Sequence, residues 1–515
     1  MPTNETIESA LTVSENSSKI FWWCFAFLLV AVFIFHGKPV PYSNEFLYLL
    51  RLAPNFLPND WTFSQPANEH WFFNFLFSFP ARIFSLEVVG WLGRIAVWIS
   101  CLAALIRLGR RWTIPVWAIA VSIFLWLAFG QSVVGEEWVV GGFEAKTAAY
   151  ICLLFALDLF CERKIIVPSI LLGLSFSFHP AVGLWAIAAI GLIIFFEKNE
   201  DEKKKPSYLS FILHPSSFLK VVGLTGVFSL FGLVPLFAEQ ANSAAAYSFD
   251  DWQFVVLYRV PWHLDLFQFS RSGMILIFVM LIFNCAVLWK SESFALRFLL
   301  KFQVALGAFF LFGYLLRWLE LYPLLRLMPM RLFPIFTPLF FLFTAFYFIP
   351  QIENQTRKLI VLLAVILIIA SLNPFGKGFN QIRQTVQSWT TAPDDLQKTS
   401  VWISKNTPPD ATIIQPPNSR EFWYWSHRAS VASFAYPTYD RLGEWRERVA
   451  NLTGNLKITK GDAANEEIEA AFNNLSQEQI EQLKNKYAAS YLVSRAVYSY
   501  PVIYKTETYK VYQLR

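Results

Sequence analysis

Long apolar segments separated by short polar loops occupy most of the first 373 residues of this chain. The first runs from Ile20 to Phe35. Because residues 1–18 lack a basic region and no small-residue cleavage site follows, this segment is predicted to be a retained membrane span. Ten further spans are predicted at 86–107, 112–130, 144–161, 165–179, 181–197, 219–238, 271–289, 300–317, 332–350 and 358–373. The pattern predicts a polytopic α-helical membrane protein with about 11 transmembrane helices.

The composition agrees with a membrane protein. Of the 515 residues, 55% are apolar, 18% are aromatic and only 16% are charged, whereas a soluble domain carries about 25% charged residues. The formal net charge of +6 is too small to indicate a nucleic-acid partner. The five cysteines lie within or at the ends of the apolar segments and show no metal-ligand spacing, which favours buried free thiols.

The basic residues divide the loops into two groups. If the tail formed by residues 1–19 is cytosolic, every predicted inner loop is basic. These inner residues are Arg107, Arg110 and Arg111; Arg163 and Lys164; Lys198 and Lys203 to Lys205; Lys290, Arg297 and Lys301; and Arg357 and Lys358. This parity makes 20–373 the transmembrane region and predicts that residues 374–515 lie outside the cytosol.

The predicted outer loops carry ionisable residues that are far apart in the sequence. In the first of them, 37–82, the segment 44–50 predicts a short amphipathic helix on the membrane surface. The candidate site residues on this side are Glu45, Asp60, His70, Glu144, Lys146, His179, Arg259, His263, Asp265, Arg317, Arg326 and Arg331. Taken singly, none is specific, and a lone outer arginine is more often a headgroup contact or an ion-pair partner. Because ionisable groups at membrane depth are costly, their joint placement predicts a shared extracytoplasmic cavity that binds substrate.

The sequence changes character near residue 374. Helices are predicted at 395–405 and 441–452, and a third begins at the capping box Ser476–Gln479 and ends at Tyr487. Strands are predicted at 411–414, 429–434, 489–494, 502–504 and 509–512. Alternating helices and strands indicate a small C-terminal α/β domain. Its sequence holds no phosphate loop, metal spacing or nucleophile elbow, so a lid or recognition role is predicted.

The membrane region resembles the type-C glycosyltransferase (GT-C) superfamily. The stretch Asn44-Glu45-Phe46-Leu47-Tyr48 is similar to the family motif Asp-Glu-x-x-Tyr, with Asn44 in the first position. Segments 142–146, 259–265, 407–417 and 426–428 resemble a bacterial branch with a C-terminal extracytoplasmic domain of unknown function. The resemblance implies a bacterial inner-membrane enzyme with its catalytic acid in a large first outer loop. It also implies donor sugars linked to polyprenyl phosphate.

The implied activity is transfer of that sugar to a glycan, lipid or protein acceptor on the extracytoplasmic face. Glu45 or Asp60 would then take the acceptor proton. Arg317, Arg326, Arg331 and Lys146 would hold the phosphate leaving group. No metal ligand and no certain cofactor follow from the residue spacing, and a divalent cation between acids stays open.

Two other classes of function fit the same residues. A transporter or flippase would use the outer charges as a substrate path, although such proteins usually contain internal repeats, and the sequence shows no convincing repeat. A non-catalytic binding protein that kept the fold is the other alternative, because Asn44 departs from the motif.

Overall fold

The computed structural model describes residues 4–53, 56–64, 68–201, 215–243, 248–288, 291–351, 375–458, 461 and 464–515. The helices of the membrane region are α1 (Asn4–His36), α2 (Glu45–Leu52), α3 (Trp71–Ala81), α4 (Leu86–Arg110), α5 (Val116–Ala128), α6 (Ala145–Cys161), α7 (Ile166–Phe178), α8 (Pro180–Asp201), α9 (Pro215–Ser243), α10 (Phe249–Phe254), α11 (Pro261–Leu264), α12 (Arg271–Leu288), α13 (Phe294–Trp318), α14 (Tyr322–Leu325) and α15 (Phe333–Gln351). Each of the first ten predicted spans coincides with one of these helices.

Five of these helices contain a stretch that is long and apolar enough to cross a membrane: Ser18–His36, Leu86–Arg110, Ser217–Ala238, Arg271–Leu288 and Phe294–Trp318. Shorter apolar helices, such as Val116–Ala128 and Ile166–Phe178, pack among them. The chain is therefore a largely helical membrane protein. The predicted eleventh span, 358–373, and the predicted domain boundary after it lie outside the described residues, so the count of eleven stays a prediction.

Three of the predicted inner loops meet at one end of the bundle, which we call the inner end. The carboxylate of Asp158, near the end of α6, accepts hydrogen bonds from Arg107 Nε at 2.9 Å and from Arg111. Arg163 lies over the ring of Phe294 at the start of α13, 5.1 Å from its centroid. These three basic loops thus share one end, as the charge pattern predicts.

The opposite, outer end contains α2, which the sequence predicts as a helix on the membrane surface. The helix is present, and its placement relative to the membrane stays a prediction. Glu45, Phe46 and Leu49 are buried, and the ring of Phe46 packs edge-on against Tyr424 of the C-terminal region at 5.7 Å. The helix is therefore covered on one side by α4 and on the other by the C-terminal domain.

The first outer loop contains a second helix, α3, which is apolar along its length. At 11 residues it is too short to span a bilayer. Trp71, Phe75 and Phe79 follow one another at every fourth position and are exposed. On another side, Phe72 packs against Phe178 and Phe231, with ring centroids 4.8 and 5.3 Å apart. This arrangement presents an apolar face at the outer end, where lipid can cover it.

The C-terminal region forms the expected small α/β domain. Its helices are α16 (Phe375–Thr390), α17 (Asp395–Asn406), α18 (Phe422–Ser426), α19 (Leu442–Leu452), α20 (Ala464–Asn473) and α21 (Gln477–Tyr487). Its strands are β1 (Thr412–Ile414), β2 (Ala429–Ser430), β3 (Tyr491–Ser494), β4 (Val502–Lys505) and β5 (Lys510–Gln513), in the order β2-β1-β3-β5-β4. β1 pairs in parallel with β2 and β3, and β5 pairs antiparallel with β3 and β4. Helices α16, α18 and α20 are additions to the predicted elements.

Strand β2 ends earlier than the sequence predicts, at Ser430 instead of near Phe434. The backbone N–H of Phe434 donates to the carbonyl of Pro417, and the Ser433 hydroxyl donates to the carbonyls of Pro417 and Ser419. These bonds to a loop replace the strand ladder, so the backbone groups are satisfied without a strand.

The C-terminal domain sits on the outer end of the bundle. Arg446 of α19 forms an ion pair with Asp251 of α10 at 3.2 Å. The rings of Trp252 and Tyr439 are parallel, with centroids 5.7 Å apart. The domain therefore forms a roof over the outer loops, which is the position that a lid would occupy.

Candidate active site

Glu137 lies at the centre of a group of buried charges beneath this roof. Lys146 Nζ is 3.0 Å from Glu137 Oε2, Arg331 pairs with Oε1, and His263 Nδ1 is 3.4 Å from Oε1. The side chains of Lys146, Glu137 and Arg331 are 3%, 4% and 8% exposed. Their low exposure excludes most solvent, so each interaction is electrostatically stronger than the same contact would be in water.

Two histidines extend this group towards α2 and α3. His179, at the break between α7 and α8, has its Nε2 3.1 Å from an Arg331 guanidinium nitrogen. The ring of His70 lies 5.1 Å from that of His179, and its Nε2 is 3.1 Å from the hydroxyl of Tyr48. Together with Glu144, these residues are called the Glu137 cluster: Tyr48, His70, Glu137, Glu144, Lys146, His179, His263 and Arg331.

Two members of the cluster have unused hydrogen-bonding capacity. Lys146 Nζ approaches Glu144 Oε2 to 3.3 Å, yet neither carboxylate oxygen of Glu144 accepts a hydrogen bond within the described part of the chain. The Nε of Arg331 likewise has no hydrogen-bond partner there. Leaving buried polar groups unpaired costs about 1–3 kcal/mol each. The Nε–H of Arg331 and the Glu144 carboxylate, whose ion-pair partner is Lys146, can therefore both bind a ligand.

The outer-loop members of the cluster have shifted pKa values. Burial alone would raise the pKa of Glu137, but Arg331 and Lys146 outweigh that effect and lower it to about 2. Burial lowers the pKa of His70 to about 4, with a contribution from Arg331. Burial also lowers the pKa of His263 to about 4, and Arg331 adds to the effect despite the opposing charge of Glu137. At neutral pH, Glu137 is ionised and both imidazoles are neutral.

Glu45, the first predicted base, lies beside the cluster in a saturated setting. Arg94 binds its carboxylate with two nitrogens, Nε at 2.7 Å. The backbone N–H of Tyr42 donates at 2.9 Å, and the N–H of Phe143 donates to the other oxygen. Its side chain is fully buried, and a side chain at Gly142 would collide with it. Every strong bonding position of this carboxylate is occupied, which favours a structural role.

Asp60, the second predicted base, is also saturated. Its Oδ1 accepts from the N–H groups of Thr62 and Phe63, at 2.7 and 3.0 Å. Its Oδ2 accepts from Trp423 Nε1 and from the N–H of Ser430, both at 2.8 Å. Burial raises the pKa of Asp60 despite these bonds. The residue connects the first outer loop to the C-terminal domain.

The remaining predicted site residues lie at the outer end and contact groups outside the cluster. Arg317 Nε is 2.7 Å from Asp265, and its guanidinium lies over Phe267. Arg326 lies over the ring of Trp252, 5.4 Å from its centroid. Arg259 donates to the carbonyl of Ala435 in the C-terminal domain. The cluster therefore brings together six predicted residues, namely His70, Glu144, Lys146, His179, His263 and Arg331.

A resident metal ion would need ligands beyond those that the described side chains group together. Among the described residues no group of three or more His, Cys, Asp or Glu is placed to hold one. Both oxygens of Glu137 already face the cations Arg331 and Lys146. A divalent cation that used this carboxylate as a ligand would have to displace them.

Sequence reasoning did not select Glu137, the central residue. It lies next to the exposed Glu136 in the segment Gly135-Glu136-Glu137-Trp138, and nothing in that pair shows which carboxylate points inward. Sequence reasoning also did not select Arg94 as a site residue. Arg94 pairs with Glu45, which lies 49 residues earlier in the chain.

Comparisons with known proteins agree with this architecture. Two solved structures of the oligosaccharyltransferase of Archaeoglobus fulgidus match nearly the whole chain. One, in complex with Zn and sulfate, has a TM-score of 0.53 and 15% identity, and the match covers 91% of this chain and 67% of that one. The other, tethered to an acceptor peptide with an NVT sequon, has a TM-score of 0.50 and 12% identity, and covers 92% and 69%. The chain has a GT-C fold.

The other comparisons are less informative. Residues 394–452 match a family model described as Domain of unknown function (DUF6798). That segment begins just before α17 and ends with α19, so it forms much of the roof in this GT-C fold. No curated protein matches the sequence.

Proposed function

We propose that this chain is a membrane-embedded glycosyltransferase that moves a sugar from polyprenyl phosphate to a glycan, lipid or protein acceptor on the extracytoplasmic face. The observation that carries the proposal is the Glu137 cluster, in which a buried carboxylate and a buried guanidinium N–H both lack hydrogen-bond partners among the described residues. The GT-C fold supports the reaction class by analogy, since the similar oligosaccharyltransferase was solved with an acceptor peptide.

Glu144 is the proposed base. It replaces Glu45 of the motif and Asp60 of the same outer loop, because the carboxylates of both are saturated with hydrogen bonds. The Glu144 carboxylate would accept the acceptor proton as the acceptor atom attacks the anomeric carbon. Within the described part of the chain its Oε1 has no hydrogen-bond partner, whereas its Oε2 forms an ion pair with Lys146 at 3.3 Å.

Arg331 and Lys146 are proposed to stabilise the leaving group. As the bond between the anomeric carbon and the phosphate oxygen breaks, the phosphate keeps the electron pair and gains charge. The Nε–H of Arg331 and the ammonium of Lys146 can meet that charge without rearrangement, because Glu137 holds both cations in place. His179 supports the far side of the Arg331 guanidinium.

The apolar helix α3 is the proposed contact for the lipid chain of the donor. His70, the last residue before α3, belongs to the cluster, and the exposed rings of Trp71, Phe75 and Phe79 lead away from it. A polyprenyl tail lying on these rings would remain in lipid while its phosphate reaches the cluster. The distribution of the basic loops supports the extracytoplasmic side for this site.

The test is sugar transfer by the full-length protein in lipid nanodiscs, with a panel of radiolabelled polyprenyl-phosphate sugars and mixed acceptors. Glu144→Gln should lower the transfer rate by about 10²–10⁴-fold, the usual contribution of a positioned general base. The matched control is Glu136→Gln, which makes the same change on an exposed carboxylate one residue from the centre of the cluster.

Three outcomes separate the possibilities. Loss of transfer in Glu144→Gln alone supports the proposal. Full activity in this variant removes Glu144 as base. Absence of transfer by the wild type from every donor, with the phosphate lipid still bound, would instead favour the non-catalytic binding protein.

A further inference from the structure

A second concave surface lies on the C-terminal domain, in the groove between α17 and the edge strand β4. Its volume is about 360 Å³, within the range of small-molecule sites. The lining residues that matter for binding are Gln397, Lys398, Trp402, Lys405, Asn406 and Tyr504. This groove is separate from the Glu137 cluster, because the two share no residue.

The groove is built around a pair of stacked aromatic rings. Trp402 and Tyr504 lie parallel within 8°, with centroids 4.6 Å apart. Trp402 comes from the helix and Tyr504 from the strand, so their contact fixes the two walls relative to each other. Both rings are only partly buried. The part of this rigid aromatic surface that stays exposed can form a platform for the flat C–H face of a pyranose ring.

The polar groups of the groove lie on the same face of α17. Residues 397, 398, 401, 402, 405 and 406 repeat at helical spacing, while Thr399, Ser400 and Ile403 on the other face are buried. The amides of Gln397 and Asn406 can donate to and accept from sugar hydroxyls. Aromatic stacking flanked by amides is the chemistry that recognises a carbohydrate.

Charge narrows the class of carbohydrate. Among the described residues, the charged side chains that line the groove are two lysines, Lys398 and Lys405, and no acid. Lys398 also pairs with Asp395 at 3.1 Å, an exposed contact that a ligand carboxylate can replace at little cost. The two lysines are seven residues apart, about 10 Å along the helix axis. A chain of several sugars with repeated negative charges matches this spacing.

We propose that this groove binds an acidic oligosaccharide and thereby holds the acceptor glycan of the transfer. The assignment of the ligand as an acceptor rests on the proposed function. Binding itself does not, because the groove residues take no part in the cluster.

Binding is tested on the full-length protein in nanodiscs by calorimetric titration, without donor. The probes are a hyaluronan hexasaccharide, which alternates glucuronate with N-acetylglucosamine, and a neutral chitin hexasaccharide of equal length. The acidic probe should bind roughly tenfold more tightly than the neutral one, and added salt should reduce the difference. Equal affinity for the two probes, or no binding of either, would overturn the proposal.

Variants locate the binding. Trp402→Ala should weaken binding of the acidic probe by about tenfold or more through loss of the stacking surface. Lys405→Glu, on the exposed rim, should weaken it several-fold without disturbing the core. The matched control Lys505→Glu changes an exposed lysine of β4 that does not line the groove. Equal weakening in Lys505→Glu would show general charge attraction and contradict the assignment.

The two proposals fail independently. Glu144→Gln should bind the hexasaccharide as the wild type does, because Glu144 lies outside the groove. Normal binding with no transfer would overturn the enzyme proposal alone. Transfer without hexasaccharide binding would overturn only the groove.

Discussion

The two ends of the helix bundle both gather acids and bases, but they surround them differently. At the inner end, Arg107 and Lys164 are 50% and 58% exposed where they pair with Asp158 and Glu162. At the outer end, each partner of Glu137 that carries a fixed charge is less than a tenth exposed. Water and salt can screen the inner contacts but reach the outer ones poorly.

This difference separates a structural contact from a site. The inner end holds α4, α6 and the α6–α7 turn together through ion pairs whose cations are partly exposed to solvent. The outer end retains a carboxylate and a guanidinium N–H that have no hydrogen-bond partner in the described part of the chain, at an energetic cost. A ligand that supplies the missing contacts is the explanation that we propose for these unsatisfied groups.

The largest predicted effect concerns the ion pair of Glu45 and Arg94. Arg94→Met leaves the Glu45 carboxylate buried without its counter-charge, and should lower the free energy of unfolding by about 3–5 kcal/mol. Denaturant titration in detergent measures this. The double variant Arg94→Met/Glu45→Gln should recover part of the loss, because no buried charge then remains.

The matched control is Arg107→Met at the inner end. Arg107 is half exposed, and Arg111 still holds Asp158 after its removal. The expected loss is at most about 1 kcal/mol. Equal losses at the two ends would show that burial does not distinguish them.

Lowering the pH should reduce the stability of the folded protein through the histidines at the outer end. The pKa of His263 is lowered from 6.5 to about 4 in the folded protein. As the pH falls below 6.5 the unfolded chain is protonated first, so stability falls between pH 6.5 and 4 and no further below 4. At about 1.4 kcal/mol per pKa unit, the contribution is at most about 3.5 kcal/mol.

The variant His263→Gln isolates this contribution. Glu69 acts in the opposite direction, because burial raises its pKa to about 7 and the folded state gains stability as the pH falls from 7 to 4.5. The free energy of unfolding is measured against pH for both proteins. Subtracting the profile of His263→Gln from that of the wild type removes the contribution of Glu69. A difference that does not change between pH 6.5 and 4 would contradict the assignment.

A smaller effect is expected on transfer. Lys146→Met should reduce the rate by roughly 10–100-fold, since a charged hydrogen bond contributes about 1.5–3 kcal/mol. Lys164→Met, the same change at the inner end, should leave transfer unchanged because its exposed ammonium pairs with Glu162, far from the cluster. A loss of rate in both variants would indicate an effect on folding.

The general fold follows from the sequence because it depends on local patterns. Apolar length and loop charge predict the membrane helices and the grouping of inner loops at one end. The periodicity of apolar residues and the positions of turn-forming residues predict most of the C-terminal domain. They include the capping box at Ser476, whose hydroxyl accepts from the N–H of Gln479. Each of these signals lies within a short stretch of chain.

The candidate site follows only in part, because its residues depend on partners far away in sequence. The free-energy cost of burying ionisable side chains is enough to predict that residues such as His70 and Arg331 lie close together. Whether the hydrogen-bonding positions of an acid are free or occupied depends on residues elsewhere in the chain. Asp60, for example, accepts a hydrogen bond from Trp423, 363 residues later. No local pattern reveals that bond, so the sequence singles out Asp60 and Glu45 and passes over Glu137.

The smallest predicted effect lies at the inner end, in the pair of Glu162 and Lys164. Glu162→Gln should lower the free energy of unfolding by no more than about 1 kcal/mol, because Lys164 is largely exposed and Asp158 continues to bind Arg111. The effect should shrink further as salt rises from low to physiological concentration. Glu137→Gln, the same substitution at the outer end, should cost several times more and respond little to salt, since Arg331 would remain buried without its counter-charge and Lys146 would keep only Glu144. Equal salt dependence of the two variants would mean that water reaches both ends alike, and the outer cluster would then lack the desolvation on which its proposed chemistry depends.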